Sequence, residues 1–224
     1  IYQLSVSNNE IVELDLEKYF ENLRVMNLFY DGKYLWVGTR ASGLYRVNLH
    51  DKSIKSFIHN EFISSSISAN SVTDIIKDRK GRLWVSTFNQ GLNRLNEDGS
   101  FTRYISNKNT PEEGPNSNSI LHLLEDEKGI IWVATYGSGL SRFDPTTESF
   151  YHITYDESDP NSLSSDLSWF IFLDNDKNLW VSTQAAGLNV LSYENRVAKN
   201  YKFQRIGTND GMKSQTVYGM IQDS

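Results

Sequence analysis

Four tryptophans stand at Trp36, Trp84, Trp132 and Trp180, each 48 residues from the last. The match extends around them, through Leu35-Trp36-Val37-Gly38-Thr39, Leu83-Trp84-Val85-Ser86-Thr87, Ile131-Trp132-Val133-Ala134-Thr135 and Leu179-Trp180-Val181-Ser182-Thr183. Seven residues after each tryptophan comes a glycine-leucine pair, at Gly43, Gly91, Gly139 and Gly187. An aspartate precedes each tryptophan by five or six residues, at Asp31, Asp78, Asp126 and Asp174. A fixed period of this length is the mark of a stacked repeat, in which each unit buries its apolar faces against its neighbours.

Within one period the pattern reads as four short strands divided by turn residues. In the second unit, Val72–Lys77 is β-rich and Asp78-Arg79-Lys80-Gly81 supplies a tight turn. Arg82–Thr87 and Gly91–Asn96 follow as strands, then Asn96-Glu97-Asp98-Gly99 as a second turn, and Ser100–Ser106 completes the unit. No segment shows sustained helical spacing. Four antiparallel strands per repeat predict a propeller blade. A blade has neighbours on both faces, which explains the nearly unbroken apolar runs Ile120–Leu124 and Trp169–Leu173. The repeated Trp36, Trp84, Trp132 and Trp180, with Gly43, Gly91, Gly139 and Gly187, are therefore scaffold.

Residues 1–20 align with the second half of a unit, and residues 208–224 with the first strand of another. Between them lie blades at 21–62, 63–110, 111–158 and 159–207, all of one propeller domain. The expected fold is thus all-β: four complete four-stranded antiparallel blades with partial blades at each end. That makes it a fragment or open arc of a larger, seven-bladed propeller, for which about 336 residues are needed. An arc exposes an apolar blade face at each end, so the remaining blades of the same protein, or a homodimer, are expected partners.

Other function classes are narrowed by composition. The chain of 224 residues has a formal charge of −6, which argues against nucleic acid as a partner. It has no cysteine, excluding disulfides, thiolate metal sites and cysteine nucleophiles. No apolar run approaches the length of a membrane-spanning helix. No nucleophile-elbow, phosphate-loop or zincin pattern occurs, and no cofactor or metal is expected.

Asn70–Thr87 with Gly91–Leu95 resembles the two-component regulator propeller repeat, as does Asn118–Thr135 with Gly139–Phe143. The unit from Asp166 to Leu191 departs from it at Lys177, in place of the turn glycine, and at Val190, in place of the arginine of Arg46, Arg94 and Arg142. The first unit is looser. The resemblance implies the periplasmic region of an inner-membrane hybrid histidine kinase of the kind typical of gut Bacteroidetes, in which many members detect oligosaccharides. It implies a non-catalytic sensor, with kinase and DNA-binding regions elsewhere in the protein.

With the first and third turns of each blade at one end, the second-to-third-strand loops and the inter-blade loops share the other. The former vary where the strands repeat: Arg40-Ala41-Ser42, Phe88-Asn89-Gln90, Tyr136-Gly137-Ser138 and Gln184-Ala185-Ala186. Aromatics beside amides and an arginine suit a sugar, stacking on its ring and bonding its hydroxyls. Arg40, Phe88, Asn89, Gln90, Tyr136 and Gln184 are the candidate ligand-binding residues, for an oligosaccharide or another small ligand. Asn27, Asp74, His122 and Phe170 share one position on successive inner strands and read as a hydrated channel lining. Two other readings stand beside the sensor: a protein-interaction or dimerisation scaffold, and a propeller lyase or hydrolase, which needs clustered His or carboxylates that the loops lack.

Overall fold

The computed structural model describes residues 2–5, 10–13 and 20–223. Strands β1 (Tyr2–Ser5) and β2 (Glu10–Glu13) pair antiparallel. Four four-stranded antiparallel sheets follow, each with its strands in sequence order. The first holds β3 (Val25–Tyr30), β4 (Tyr34–Thr39), β5 (Leu44–Asn48) and β6 (Ile54–Phe57). The second holds β7 (Val72–Lys77), β8 (Leu83–Thr87), β9 (Leu92–Leu95) and β10 (Phe101–Tyr104). The third holds β11 (Ile120–Glu125), β12 (Ile131–Thr135), β13 (Leu140–Asp144) and β14 (Ser149–Ile153). The fourth holds β15 (Ser168–Leu173), β16 (Leu179–Thr183), β17 (Leu188–Leu191) and β18 (Gln204–Ile206).

The core is a series of seams between sheets. Trp36 meets Val72, Ile75 and Val85 of the second sheet. Trp84 packs with Ile120, Leu123 and Phe143 of the third, and Trp132 with Ile171 and Val181 of the fourth. Strands β8 and β12 are buried along their whole length, as strands covered on both faces must be. Trp84 and Trp132 are completely enclosed, each near an aromatic of the next repeat: Phe143 on β13 at 5.3 Å and Tyr201, between β17 and β18, at 6.3 Å between ring centroids.

The repeated aspartates do more than turn the chain. Asp78 Oδ1 accepts the backbone N–H groups of Lys80 and Arg82, while its Oδ2 accepts the Trp84 indole N–H at 2.9 Å. The same indole-to-carboxylate bond recurs at Asp31–Trp36 (3.1 Å), Asp126–Trp132 (2.9 Å) and Asp174–Trp180 (2.8 Å). Burial alone pushes the Asp78 carboxyl up, but the bonds from Trp84 and Arg82 outweigh it and hold the pKa below the ordinary value. Asp31 and Asp174 are lowered in the same way, against burial, by their tryptophan and turn donors.

The repeated glycines meet two demands at once. Gly91 has φ +75°, and a Cβ there falls 2.3 Å from the Tyr104 carbonyl oxygen. Gly91 N–H also donates to the Asn118 carbonyl at 2.9 Å, and Gly43, Gly139 and Gly187 make the same bond to Asn70, Asp166 and Gln215. This bond ties each blade to the loop that starts the next, a repeat carried by Asn, Asp and Gln and so hidden from the motif.

Two elements differ from the sequence reading. A short helix, α1 (Tyr193–Val197), fills the turn between β17 and β18, where no helical spacing is visible. It is nucleated by its cap: the Ser192 side chain accepts the Asn195 N–H. Residues 216–223, expected to form a first strand, form none, since a first strand needs the second strand of its own blade as ladder partner. They lie instead against the fourth sheet, where Met220 and Ile221 line a hollow with Phe172 and Trp180. Of the partial blade expected at 1–20, residues 1, 6–9 and 14–19 lie outside the described residues.

Gly91 and Gly81 separate these demands, because Gly81 has φ +82° but nothing within 4 Å of an added Cβ. Gly91→Ala is expected to lose roughly 2–4 kcal/mol of stability and Gly81→Ala about 1 kcal/mol. Urea denaturation of the two variants checks the difference.

Candidate functional site

The loop between each second and third strand starts from a fixed anchor. Arg40, Phe88, Tyr136 and Gln184 each donate a backbone N–H to the carbonyl of the residue just before the first strand of their own sheet: Arg24, Ser71, Ser119 and Leu167. Their side chains are therefore presented in register along one end of the stack. Phe88 and Tyr136 are exposed, and their rings lie 6.5 Å apart. Tyr136 meets Trp169 edge-on at 6.4 Å, and Trp169 meets Tyr218 at 5.4 Å. Phe88, Tyr136, Trp169 and Tyr218 thus form a row of four rings crossing the second, third and fourth sheets.

Trp169 owes its place to a β-bulge. The ladder between β15 and β16 shifts between Ser168 and Phe170, so Trp169 opposes no residue and is turned out of the pleat. The same bulge falls at Met26, Thr73 and Leu121 in the other sheets. Trp169 and Tyr218 lie outside the sequence-predicted set. The fifth tryptophan, breaking the 48-residue period, was the signal available for the first of them.

The remaining predicted residues are placed unevenly. Asn89 and Gln90 are exposed beside Phe88, and Asn89 Oδ1 accepts the Ser119 hydroxyl at 2.5 Å. Asn89 has φ +72° and Ala185 φ +62°, the left-handed backbone that Asn tolerates better than Ala. Among the described residues, no side-chain hydrogen bond, ion pair or ring contact joins Arg40, Gln90 or Gln184 to the aromatic row.

Of the inner-strand constellation, Asp74 is buried and Asn27, His122 and Phe170 are half-buried. Asp74 is 4% exposed. Its carboxylate accepts from Asn27 Nδ2 (2.8 Å) and from the backbone N–H groups of Ile75 (2.8 Å) and Leu123 (2.7 Å). His122 Nε2 lies 3.7 Å from Asp74 Oδ2, and the His122 ring rests 4.1 Å from that of Phe170. Asn27 Oδ1 and His122 Nδ1 are buried without a protein partner. Burial raises the Asp74 pKa and lowers that of His122 despite the nearby carboxylate, so both groups are pushed toward neutrality. Among the described residues, no group of three or more His, Cys, Asp or Glu is placed to hold a metal.

Four sheets stacked through tryptophan seams, with variable loops at one end, make this chain a β-propeller array. Residues 66–89 and 114–137 match the two component regulator propeller family model. Among solved structures, it resembles an extracellular domain described as part of the hybrid two component system BT3049 from B. thetaiotaomicron. That match has 21% identity and a TM-score of 0.57, over 96% of this chain and 34% of the other. The corresponding domain of BT4673 from the same organism gives 21% identity and a TM-score of 0.55, over 99% and 36%. A Bacteroides thetaiotaomicron protein of unknown function gives 14% and 0.54, over 80% and 50%. The chain therefore spans about a third of the length of the first two, and the likeness shows the fold. No curated protein matches.

The buried histidine has a thermodynamic signature. The unfolded chain binds a proton near pH 6.5, while the folded His122 is held below that value. Its contribution to stability is present above about pH 6.5 and falls as pH drops toward the folded pKa, by at most about 1.4 kcal/mol per unit. His122→Gln is expected to flatten that part of the stability-versus-pH curve, measured by denaturant unfolding between about pH 5 and 7.5.

Proposed function

We propose that these repeats are a ligand-sensing module of a two-component signalling receptor, lying in the periplasmic region of an inner-membrane protein. The ligand is an oligosaccharide held on the aromatic row, and the signal passes to a kinase elsewhere in the protein. The row of Phe88, Tyr136, Trp169 and Tyr218 carries this reading. Exposed rings spaced along one face offer apolar surface to sugar rings, and Asn89, Gln90 and the neighbouring Arg40 and Gln184 supply donors and acceptors for hydroxyls. The two component regulator propeller repeats and the extracellular origin of the similar solved domains support the sensor setting. No helix among the described residues is long and apolar enough to cross a membrane. The chain itself performs no chemistry in this reading.

A second reading, an interaction or dimerisation scaffold, draws on the first sheet. Val25, Met26, Leu28 and Tyr30 of β3 are exposed, with Tyr30 at 56%, and invite a further blade or a second copy. Mass measured against concentration without ligand reads this out directly.

Calorimetry on the full chain with a panel of neutral and acidic oligosaccharides tests the first reading. Tyr136→Ala and Trp169→Ala are each expected to weaken binding by about tenfold, or ~1.4 kcal/mol. No binding across the panel, or binding untouched by both substitutions, would overturn it.

A further inference from the structure

Two neighbouring seams put opposite charges at one equivalent position. Between the second and third sheets, Arg94 on β9 reaches Glu148 in the β13–β14 turn at 2.6 Å and lies over the Trp84 ring. Tyr104 donates its hydroxyl to the same Glu148 oxygen at 3.0 Å. One period later Arg142 occupies the place of Arg94, but Arg196 occupies the place of Glu148. A base has replaced the acid.

Helix α1 then redirects that base. Arg196 reaches Asp126 at 2.5 Å, Glu127 at 2.7 Å and the Lys177 carbonyl at 2.9 Å. Arg142 is left with no carboxylate at ion-pair distance among the described residues, and so are Lys128 and Lys199. These three cations, with Arg196, Asp126 and Trp132, line one cavity of about 190 Å³. Asp126 makes its ion pair with Arg196 and none with these three. Its two oxygens already accept from Lys128 N, Ile130 N, the Trp132 indole and Arg196. Counting Asp126 and Glu127 against four cations leaves the pocket at +2, in a chain whose formal charge is −6. Arg196 is 4% exposed, and its Nε–H is buried without an acceptor. Glu127 Oε1 is likewise buried without a donor, so with Arg196 paired to Asp126 and Glu127 the unmatched charge is that of Arg142, Lys128 and Lys199, and the partner of matching charge is an anion.

We infer that the cavity between the third and fourth sheets binds an oxyanion, a sulfate, phosphate or carboxylate group, in the place that Glu148 holds one period earlier. The site lies at the turn end of the blades, away from the aromatic row, and stands independently of the sensing proposal. Its bound anion pairs with Arg142, Lys128 and Lys199 and fastens α1 to the third sheet.

The test is thermal unfolding of the full chain in sodium sulfate, sodium phosphate or sodium glucuronate, against sodium chloride at constant ionic strength. At least one oxyanion is expected to raise the melting temperature saturably, and which one does so distinguishes a free inorganic ion from an acidic sugar. Arg142→Gln is expected to weaken the effect about tenfold or more. The double variant Lys128→Gln/Lys199→Gln, altering two exposed side chains that make no ion pair, does the same without threatening the fold. Lys199→Glu supplies the missing carboxylate from the chain and is expected to abolish the response. Oxyanions acting no differently from chloride, or a response equal in the double variant and the parent, would overturn the assignment.

Discussion

The indole N–H of each repeated tryptophan ends on an aspartate that also closes the first turn of its blade. The rest of the structure depends on this bond. A tryptophan buried between two sheets brings a large apolar area and one polar hydrogen, and leaving that hydrogen unpaired costs much of what the burial gains. Tying it to the turn carboxylate solves two problems with one side chain. The turn is held by the Asp oxygens that accept its backbone N–H groups, and the ring is fixed in the orientation that meets the next sheet. Turn geometry and inter-blade packing are thereby coupled, so a blade cannot form properly without presenting the surface that its neighbour needs.

That coupling explains why the fold was open to reading from sequence. Trp, Asp and Gly recur because each answers a demand that recurs in every blade: a ring for the seam, an acceptor for its N–H, and a backbone at positive φ pressed against a carbonyl. Periodic demands leave periodic residues. Where a recurring demand can be met by different side chains the repeat disappears from view, as with Asn70, Asn118, Asp166 and Gln215, whose backbone carbonyls all receive the glycine N–H. Any residue has a carbonyl, so the sequence carries only a faint trace of that clamp. Helix α1 was equally hidden, since five residues held by the Ser192 cap and by Arg196 are too few to show a helical period.

The candidate site was legible only in part, for the opposite reason. The loop end could be located because strand order assigns it, and Phe88 and Tyr136 could be named because they fall in loops between recognisable strands. Trp169 sits inside a strand, where an apolar run made it look like core. Only the bulge between Ser168 and Phe170 turns it outward to meet Tyr136. Tyr218 joins from 49 residues further along the chain, a contact that no local pattern encodes. The inner-strand set of Asn27, Asp74, His122 and Phe170 shows the converse: alignment found the residues, but the burial of Asp74 among them comes from how the sheets approach.

A repeat array can carry specificity in two ways, and this chain uses both. One is by residues that never belonged to the period, such as the aromatic row on the loop end. The other is by residues that hold a periodic place but change its sign. Glu148 and Arg196 stand one period apart, yet one completes an ion pair with Arg94 and the other leaves Arg142 facing a cavity. The seam tolerates the exchange because its apolar part is intact: Trp132, Ile171 and Val181 still pack as their counterparts do elsewhere. Stability resides in the buried rings, and the charged rim around them is free to diverge. Where charge reverses between equivalent positions of neighbouring seams, as from Glu148 to Arg196, the rim can take a partner other than the next blade.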